Sequence, residues 1–452
     1  MYLVVILAVL IVLIVLATTK LKLHPFLALL GVSFLGGFMY GVPLLDIVKH
    51  ITAGFGGIMG SIGIVIVLGT IIGVILERTG AAITMADSII KLLGNRFPTL
   101  TMSIIGYLVS IPVFCDSGYV ILNSLKEAIA KRMNVSLIAM SVALATGLYA
   151  THTFVPPTPG PIAAAGNLGL SDSLGLVILV GMVVAAATAL AGLLWANIFL
   201  HKDIALEAPI MPNEQEQSLM KTREAYGVLP STFQAFAPIF LPIALICLGS
   251  IAAFPSKPLG TGTLANGLLF LGHPVVALLA GLLSALSLLK GEAKRKQFHD
   301  YVADGLVACA PILLITGAGG AFGAILKVTP LGDYIGTTLS AMGIGLLMPF
   351  IVSAALKTAQ GSTTVALVTT SALVAPMLGQ LGLDSEMGRV LTVMAIGAGG
   401  MTVSHANDSF FWVVTQFSRM RVSTAYYAQT MATLIQGVVG MLVVWLLSLV
   451  LL

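Results

Sequence analysis

Runs of about twenty apolar residues recur from one end of this chain to the other, the length a helix needs to cross the hydrocarbon core of a bilayer. The chain has 452 residues, of which 58% are hydrophobic and 9% charged. An ordinary globular surface needs about a quarter of its residues charged, so the sequence reads as an all-α polytopic membrane protein. A net charge of +4, spread over short loops, speaks for membrane topology and against a nucleic-acid partner. Ahead of the first run, residues 2–18, there is no basic region, and no small-residue cleavage site follows it. It is therefore read as a retained first span. Cys115, Cys247 and Cys309 lie far apart in apolar segments, which implies neither a disulfide framework nor a metal site.

Apolar windows predict full crossings at 2–18, 25–41, 57–76, 174–200, 233–254, 264–289, 301–326 and 428–452, all helical because lipid tolerates no unpaired backbone. Four further segments, 98–125, 136–168, 335–380 and 388–418, are too long for one crossing and are interrupted by polar and glycine-rich patches. If 98–125 and 335–380 are re-entrant hairpins and the other two cross with a break, 17 of the 22 lysines and arginines fall on one side. By the positive-inside rule that side is cytoplasmic, and both termini face outward. The polar stretch 201–232 becomes a cytoplasmic linker.

An internal repeat supports this reading. "GTIIGVILERTG" from 69 matches "GGAFGAILKVTP" from 319, and "YATHTFVPP" from 149 meets "TVSHANDSF" from 402, setting His152 against His405. The equivalent points enter the membrane from opposite sides, which gives two inverted-topology repeats, each with a re-entrant hairpin and a broken transmembrane helix. The division is 1–56 N-terminal scaffold helices, 57–200 first repeat, 201–232 linker, 233–300 scaffold helices and 301–452 second repeat. Interrupted helices meeting near mid-membrane are the architecture of secondary transporters. The interruption in "GLYATHTFVPPTPGPIAAAG", 147–166, is expected to free backbone groups that bind a polar solute.

Asp116 lies in the apolar run "YLVSIPVFCDSGYVIL" with no basic neighbour in sequence. An acid at such depth pairs, faces water or carries a proton, or here caps the returning arm at Ser117 and Gly118. Lys357 is the one basic residue well inside the membrane, a counter-charge for an anionic substrate or for Asp116, or a side chain snorkelling to the interface. Gln360, Gly361, Ser362, Thr363 and Thr364 form a polar turn where a helix N-terminus meets a carboxylate. Ser404, His405, Asn407 and Asp408 offer donors and acceptors suited to a proton or to Na⁺. Thr151, His152, Thr153, Thr158 and Gly160 line the first break. No H-E-x-x-H or similar spacing indicates catalytic metal, and GAGG at 317–320 lacks the context of a dinucleotide fingerprint.

"VPPTPGP", "GSTTVA" with the following "APML", and "SHANDSFFW" resemble the gluconate permease family of proton symporters, within the ion-transporter superfamily, over nearly the whole length. The resemblance implies uptake of a sugar acid or related hydroxy acid with a proton, and a homodimer whose transport domain moves elevator-fashion. It also implies departures: Asp116 where members have glutamate, Thr158 in place of a second histidine, Lys357 near an arginine or histidine position, and Ser124 in place of proline.

The expectation is therefore a multi-pass inner-membrane symporter for a small organic anion, with no cofactor. Substrate would meet Ser117, Gly118, Thr151, His152, Thr153, Thr158, Gly160, Lys357, Gln360, Gly361, Ser362, Thr363, Ser404, His405 and Asn407. Asp116, His152 or Asp408 would carry the proton. Na⁺-coupled carboxylate uptake and Na⁺/H⁺ antiport are the alternatives within transport. A passive channel is set apart by saturable counterflow. An intramembrane hydrolase using Ser117 beside Asp116 and His152 would leave the inverted symmetry unexplained.

Overall fold

The computed structural model describes residues 2–93, 97–202, 224, 226–253, 260, 262–291, 293–329, 345–405 and 408–452, and among these there is no strand. The helices are α1 Tyr2–Thr19, α2 Pro25–Met39, α3 Leu44–Arg78, α4 Ala81–Leu93, α5 Pro98–Val109 and α6 Cys115–Arg132. They continue as α7 Leu137–Phe154, α8 Pro159–Asn167, α9 Leu174–Asn197, α10 Thr232–Ala253, α11 Thr263–Leu271 and α12 Pro274–Ala285. The last are α13 Lys294–Lys327, α14 Leu347–Gln360, α15 Thr363–Val374, α16 Glu386–Met401, α17 Ser409–Phe417 and α18 Met431–Leu451.

Six described segments are long and apolar enough to cross a membrane: Leu44–Arg78, Leu137–Asn167, Ser171–Asn197, Thr232–Gly249, Lys294–Lys327 and Val422–Leu451. The pair Thr263–Leu271 and Pro274–Leu288 makes a seventh if counted as one span. That pair departs from the straight crossing expected over 264–289, because it bends by 68°. Pro274 opens α12 and cannot continue the ladder of α11. At the bend Gly272 packs directly on the Gly249 backbone of α10.

Lipid replaces water around these spans, so their outer faces are apolar. Leu179, Val183, Leu190 and Leu194 are exposed along one face of α9, and Leu442, Trp445 and Leu449 along one face of α18. Every residue of α7 is buried, and so is α16 from Val390 to Met401. These two helices are the centre of the molecule, with α5 packed on α7 and α14 on α16.

Glycine sets those approaches. A Cβ on Gly106 would lie 2.6 Å from the Leu144 carbonyl oxygen, and one on Gly147 would strike the Ser103 carbonyl. On the other side a Cβ on Gly399 would strike the Phe350 carbonyl and lie 2.8 Å from Ser353 Cβ. Small residues of this kind let membrane helices meet backbone to backbone. The pair α3 and α13 meets the same way, Gly54 against the Gly320 carbonyl and Gly320 against that of Gly54.

Candidate functional site

The interruptions expected at 98–125 and 136–168 are present as helix pairs. Ser110 to Phe114 separate α5 from α6, where Pro112 stands and the Ser110 hydroxyl donates to the Val113 carbonyl at 3.0 Å. Val155 to Thr158 separate α7 from α8, with prolines at 156 and 157. In 335–380 the residues 335–344 lie outside the described set, and the rest forms α14 and α15 around a tight corner. Gly361 there has φ +86°, a left-handed conformation glycine adopts without strain, and Ser362 caps α15 by accepting from the Val365 N–H at 3.3 Å. In 388–418 the chain leaves α16 at Met401 and re-enters helix at Ser409, where the Asp408 carboxylate caps α17 by accepting from the Phe410 N–H at 3.1 Å.

Three of these helix starts converge. A cavity of about 280 Å³ is lined by Phe114, Cys115 and Asp116 at the start of α6, and by Gly361, Ser362, Thr363 and Thr364 at the start of α15. Asp408, Ser409 and Phe410 at the start of α17, with Tyr149 and His152 of α7, complete the wall. Each helix start carries unpaired N–H groups and the positive end of a helix dipole, so three sets of donors are directed toward the cavity. Two buried polar atoms in its wall, Asp116 Oδ1 and His152 Nδ1, have no hydrogen-bond partner. A larger cavity of about 440 Å³ opens elsewhere, between α3, α8, α13 and α16. Glycine and alanine dominate its wall, and it contains none of the unpartnered polar atoms. The smaller one, with two unpartnered polar atoms in its wall, is the candidate site.

Lys357 is fully buried. Its ammonium donates to Asp408 Oδ2 at 2.7 Å and to the Gly361 carbonyl at 2.5 Å. The same carboxylate oxygen accepts from the Ser404 hydroxyl at 2.5 Å. This corrects two expectations for Lys357: it neither snorkels to the interface nor pairs with Asp116. A 0% exposed ammonium has no route to water, and Asp408 occupies it. Asp116 is not the cap of α6 either, since Phe114 holds that position and Asp116 lies in the first turn.

Of the candidate residues, Asp116, His152, Gly361, Ser362, Thr363 and Asp408 line the cavity. Lys357 and Ser404 stand behind it through Asp408. Others are turned away. Thr151 donates to the Tyr107 carbonyl at 2.9 Å, Thr153 to that of Tyr149 at 2.8 Å, and Thr158 to that of Val155 at 2.6 Å. Ser117 is absent from the cavity lining, Gly118 packs on Leu148, and Gly160 packs on Leu367 of α15. His405 Nε2 lies 2.8 Å from the Thr358 carbonyl, to which it donates. Gln360 closes α14, and Asn407 lies outside the described residues.

Sequence reasoning missed the aromatic wall. The Tyr149 hydroxyl is 2.6 Å from that of Thr363, and its ring stacks on Phe410 at 5.3 Å between centroids. Phe114 lies 6.0 Å from the His152 ring. Tyr149 stands three residues before His152, on the same helix face, and that spacing was the available signal. Among the described residues no group of three His, Cys, Asp or Glu side chains is arranged for a metal ion.

Comparison with known proteins gives a consistent picture. A family model described as GntP family permease matches residues 1–450. The gluconate permease of Pseudomonas aeruginosa is 34% identical over 440 residues, covering 96% of this chain and 94% of its own. The D-serine transporter DsdX of Escherichia coli K12 is 35% identical over 442 residues, covering 97% and 96%. Among solved structures, the Alcanivorax borkumensis YdaH transporter aligns with a TM-score of 0.61 at 15% identity, covering 88% of each chain. MtrF of Neisseria gonorrhoeae aligns at 0.63 and 16%, covering 89% of this chain and 83% of its own; both likenesses concern the fold. A full-length match, joined to an all-helical membrane architecture, sets the chain among transporters and not enzymes: it belongs to the GntP permease family.

Proposed function

We propose that this permease carries a small organic anion of the sugar-acid or hydroxy-acid class across the bacterial inner membrane together with a proton. The observation that carries the reading is the convergence of three helix starts on a 280 Å³ cavity with two unpartnered polar atoms. Among its described lining residues there is no lysine or arginine, and Lys357 behind the wall is neutralised by Asp408. A carboxylate is then received by N–H groups of α15 and α17, with Tyr149, Ser362 and Thr363 for its hydroxyls. The remaining charge is Asp116. While ionised it repels the substrate; protonated, it becomes a donor to it. Anion and proton therefore bind as a pair, which is symport.

Matched close approaches support the inverted repeat. Ser103 meets Gly147 in the first half, as Ser353 meets Gly399 in the second, at sequence offsets close to the 250 of the "GTIIG" and "GGAFG" segments. In this reading both termini face outward, and the hairpins carry substrate within a transport domain that slides elevator-fashion in a homodimer. The family's gluconate and D-serine relatives make those two compounds the first probes.

Uptake into proteoliposomes under an imposed pH gradient is the test. Labelled gluconate should accumulate and be lost when the gradient is collapsed. Accumulation indifferent to the gradient but abolished by replacing Na⁺ with choline would establish Na⁺ coupling instead.

A further inference from the structure

A second lysine is as deeply buried as Lys357. Lys126, on the returning arm α6, has no exposure, and its ammonium donates to three neutral oxygens. They are the Tyr119 hydroxyl at 3.1 Å, the Phe417 carbonyl at 3.3 Å and the Ser418 hydroxyl at 3.3 Å. The Tyr119 and Ser418 hydroxyls are 2.5 Å apart, and the ammonium also lies 4.8 Å from the Tyr119 ring centroid. Among the described residues no carboxylate lies within 4.0 Å of it. Neighbouring Glu127, also buried, accepts from Asn123 at 3.4 Å and faces Arg419 Nε at 4.0 Å.

An unpaired buried charge is costly unless strong dipoles surround it. Here they do, because Phe417 and Ser418 are the last residue and the cap of α17, where carbonyls are unsatisfied and the dipole is negative. The three oxygens, two of them at the end of α17, are acceptors of the type that half-helix C-terminal ends offer to monovalent cations, and a lysine ammonium lies among them. Both ends of the nine-residue α17 are thus held by buried lysines, Lys357 through Asp408 at the start and Lys126 at the finish. Between them α17 presents Phe410, which stacks on Tyr149 and lies 6.2 Å, edge on, from Tyr119.

We propose that Lys126 is a tethered cation: its ammonium fills a monovalent-cation site at the end of α17 and, through that helix and Tyr119, positions Phe410 in the cavity wall. The site itself stands on its own geometry; its effect on uptake rests on the transport reading above.

Lys126→Ala empties the site and leaves room for a small ammonium ion. In purified protein, hydrogen exchange over 409–418 should rise by about tenfold or more, and methylammonium at tens of millimolar should restore protection where choline does not. Gluconate uptake by the variant should show a raised KM with Vmax little changed, reversed by methylammonium. Lys126→Met keeps the volume without the charge, so it should lose protection in 409–418 and gain nothing from methylammonium. If Lys126→Ala folds only when methylammonium is present, the proposal is likewise upheld. Wild-type exchange over 409–418 in a folded Lys126→Ala or Lys126→Met would overturn it, as would lost protection that methylammonium and choline restore equally. The exchange measurement needs no substrate, so it decides the matter even if gluconate is not carried.

Discussion

If anion and proton bind as the proposed pair, Asp116→Asn should separate the one from the other. A cavity of 280 Å³ is about 8 Å across if treated as a sphere, so an anion inside it lies roughly 5–8 Å from a carboxylate in the wall. At an effective dielectric constant near 20, two like charges at that separation repel by ~2–3 kcal/mol. That corresponds to a factor of about 30–150 in affinity. In the wild-type protein this repulsion is absent while Asp116 is protonated and appears as it ionises, so affinity for a mono-anion should fall by that factor as pH rises. The Asp116→Asn variant, neutral at that position whatever the pH, should bind with near-maximal affinity throughout and show a flat profile. Equilibrium binding of labelled gluconate to purified protein across the pH range reads both curves. In proteoliposomes the variant should keep exchange of substrate for substrate and lose accumulation driven by a pH gradient. A variant that keeps the wild-type pH slope would remove Asp116 from the coupling step, and so would one that binds more weakly at every pH.

The Lys357–Asp408 pair should behave as a unit in thermal unfolding: Lys357→Met or Asp408→Asn alone leaves a buried partner uncompensated and costs about 3–5 kcal/mol. The double variant should recover much of that, and additive single effects would refute the pairing. Gly147→Ala should lower the melting temperature because its Cβ strikes the Ser103 carbonyl, whereas Gly57→Ala, with open space at its Cβ, should be neutral or stabilising by up to ~1 kcal/mol. Gly361→Ala forces an L side chain to φ +86° and should cost ~1–2 kcal/mol. It should also weaken substrate binding, since the Gly361 carbonyl is one of the two groups holding Lys357; unchanged binding in a destabilised variant would confine the turn to a structural role.

What could be read in the sequence was where helices stop. Proline and glycine act locally, so the corners before Cys115, Thr158, Ser362 and Ser409 were visible as interruptions in apolar runs. The 68° bend at Gly272 escaped because "LGHPVV" is short and its flanks are apolar enough to average into one window. Which side chains enter the cavity was legible only in part. Thr151 and Thr153 flank His152 in sequence, yet one helical step turns each through about 100°, and both hydroxyls bind carbonyls elsewhere. His405 matches His152 in the repeat, but it follows the end of its helix and turns to Thr358. Phe410 carries no mark within an apolar run, and Tyr149 only its spacing from His152, although both shape the wall. The Lys357–Asp408 pair joins positions 51 residues apart, a partnership set by the packing of α14 on α16 and by no local pattern.

The charge balance of the site makes a distinction between substrates that geometry alone does not. A mono-anion in the cavity should bind best beside a neutral Asp116, because Lys357 is committed to Asp408 and no described lining residue is a lysine or arginine. A zwitterion of similar size carries its own counter-charge. Its carboxylate is received by the same helix starts, and its ammonium offers the ionised Asp116 the partner that Oδ1 lacks. The two classes should therefore show opposite pH dependence on one protein. Affinity for gluconate should fall as Asp116 ionises, and affinity for a hydroxy-amino acid such as D-serine should hold or rise. Asp116→Asn should flatten the first curve and weaken the second by roughly 1.5–3 kcal/mol, the range of a charge-assisted hydrogen bond. Competition between the two compounds, measured at acidic and at alkaline pH, puts both on one scale. Parallel curves for the two would mean that pH acts through a group other than Asp116, and the site would have to be rebuilt around His152 or Asp408.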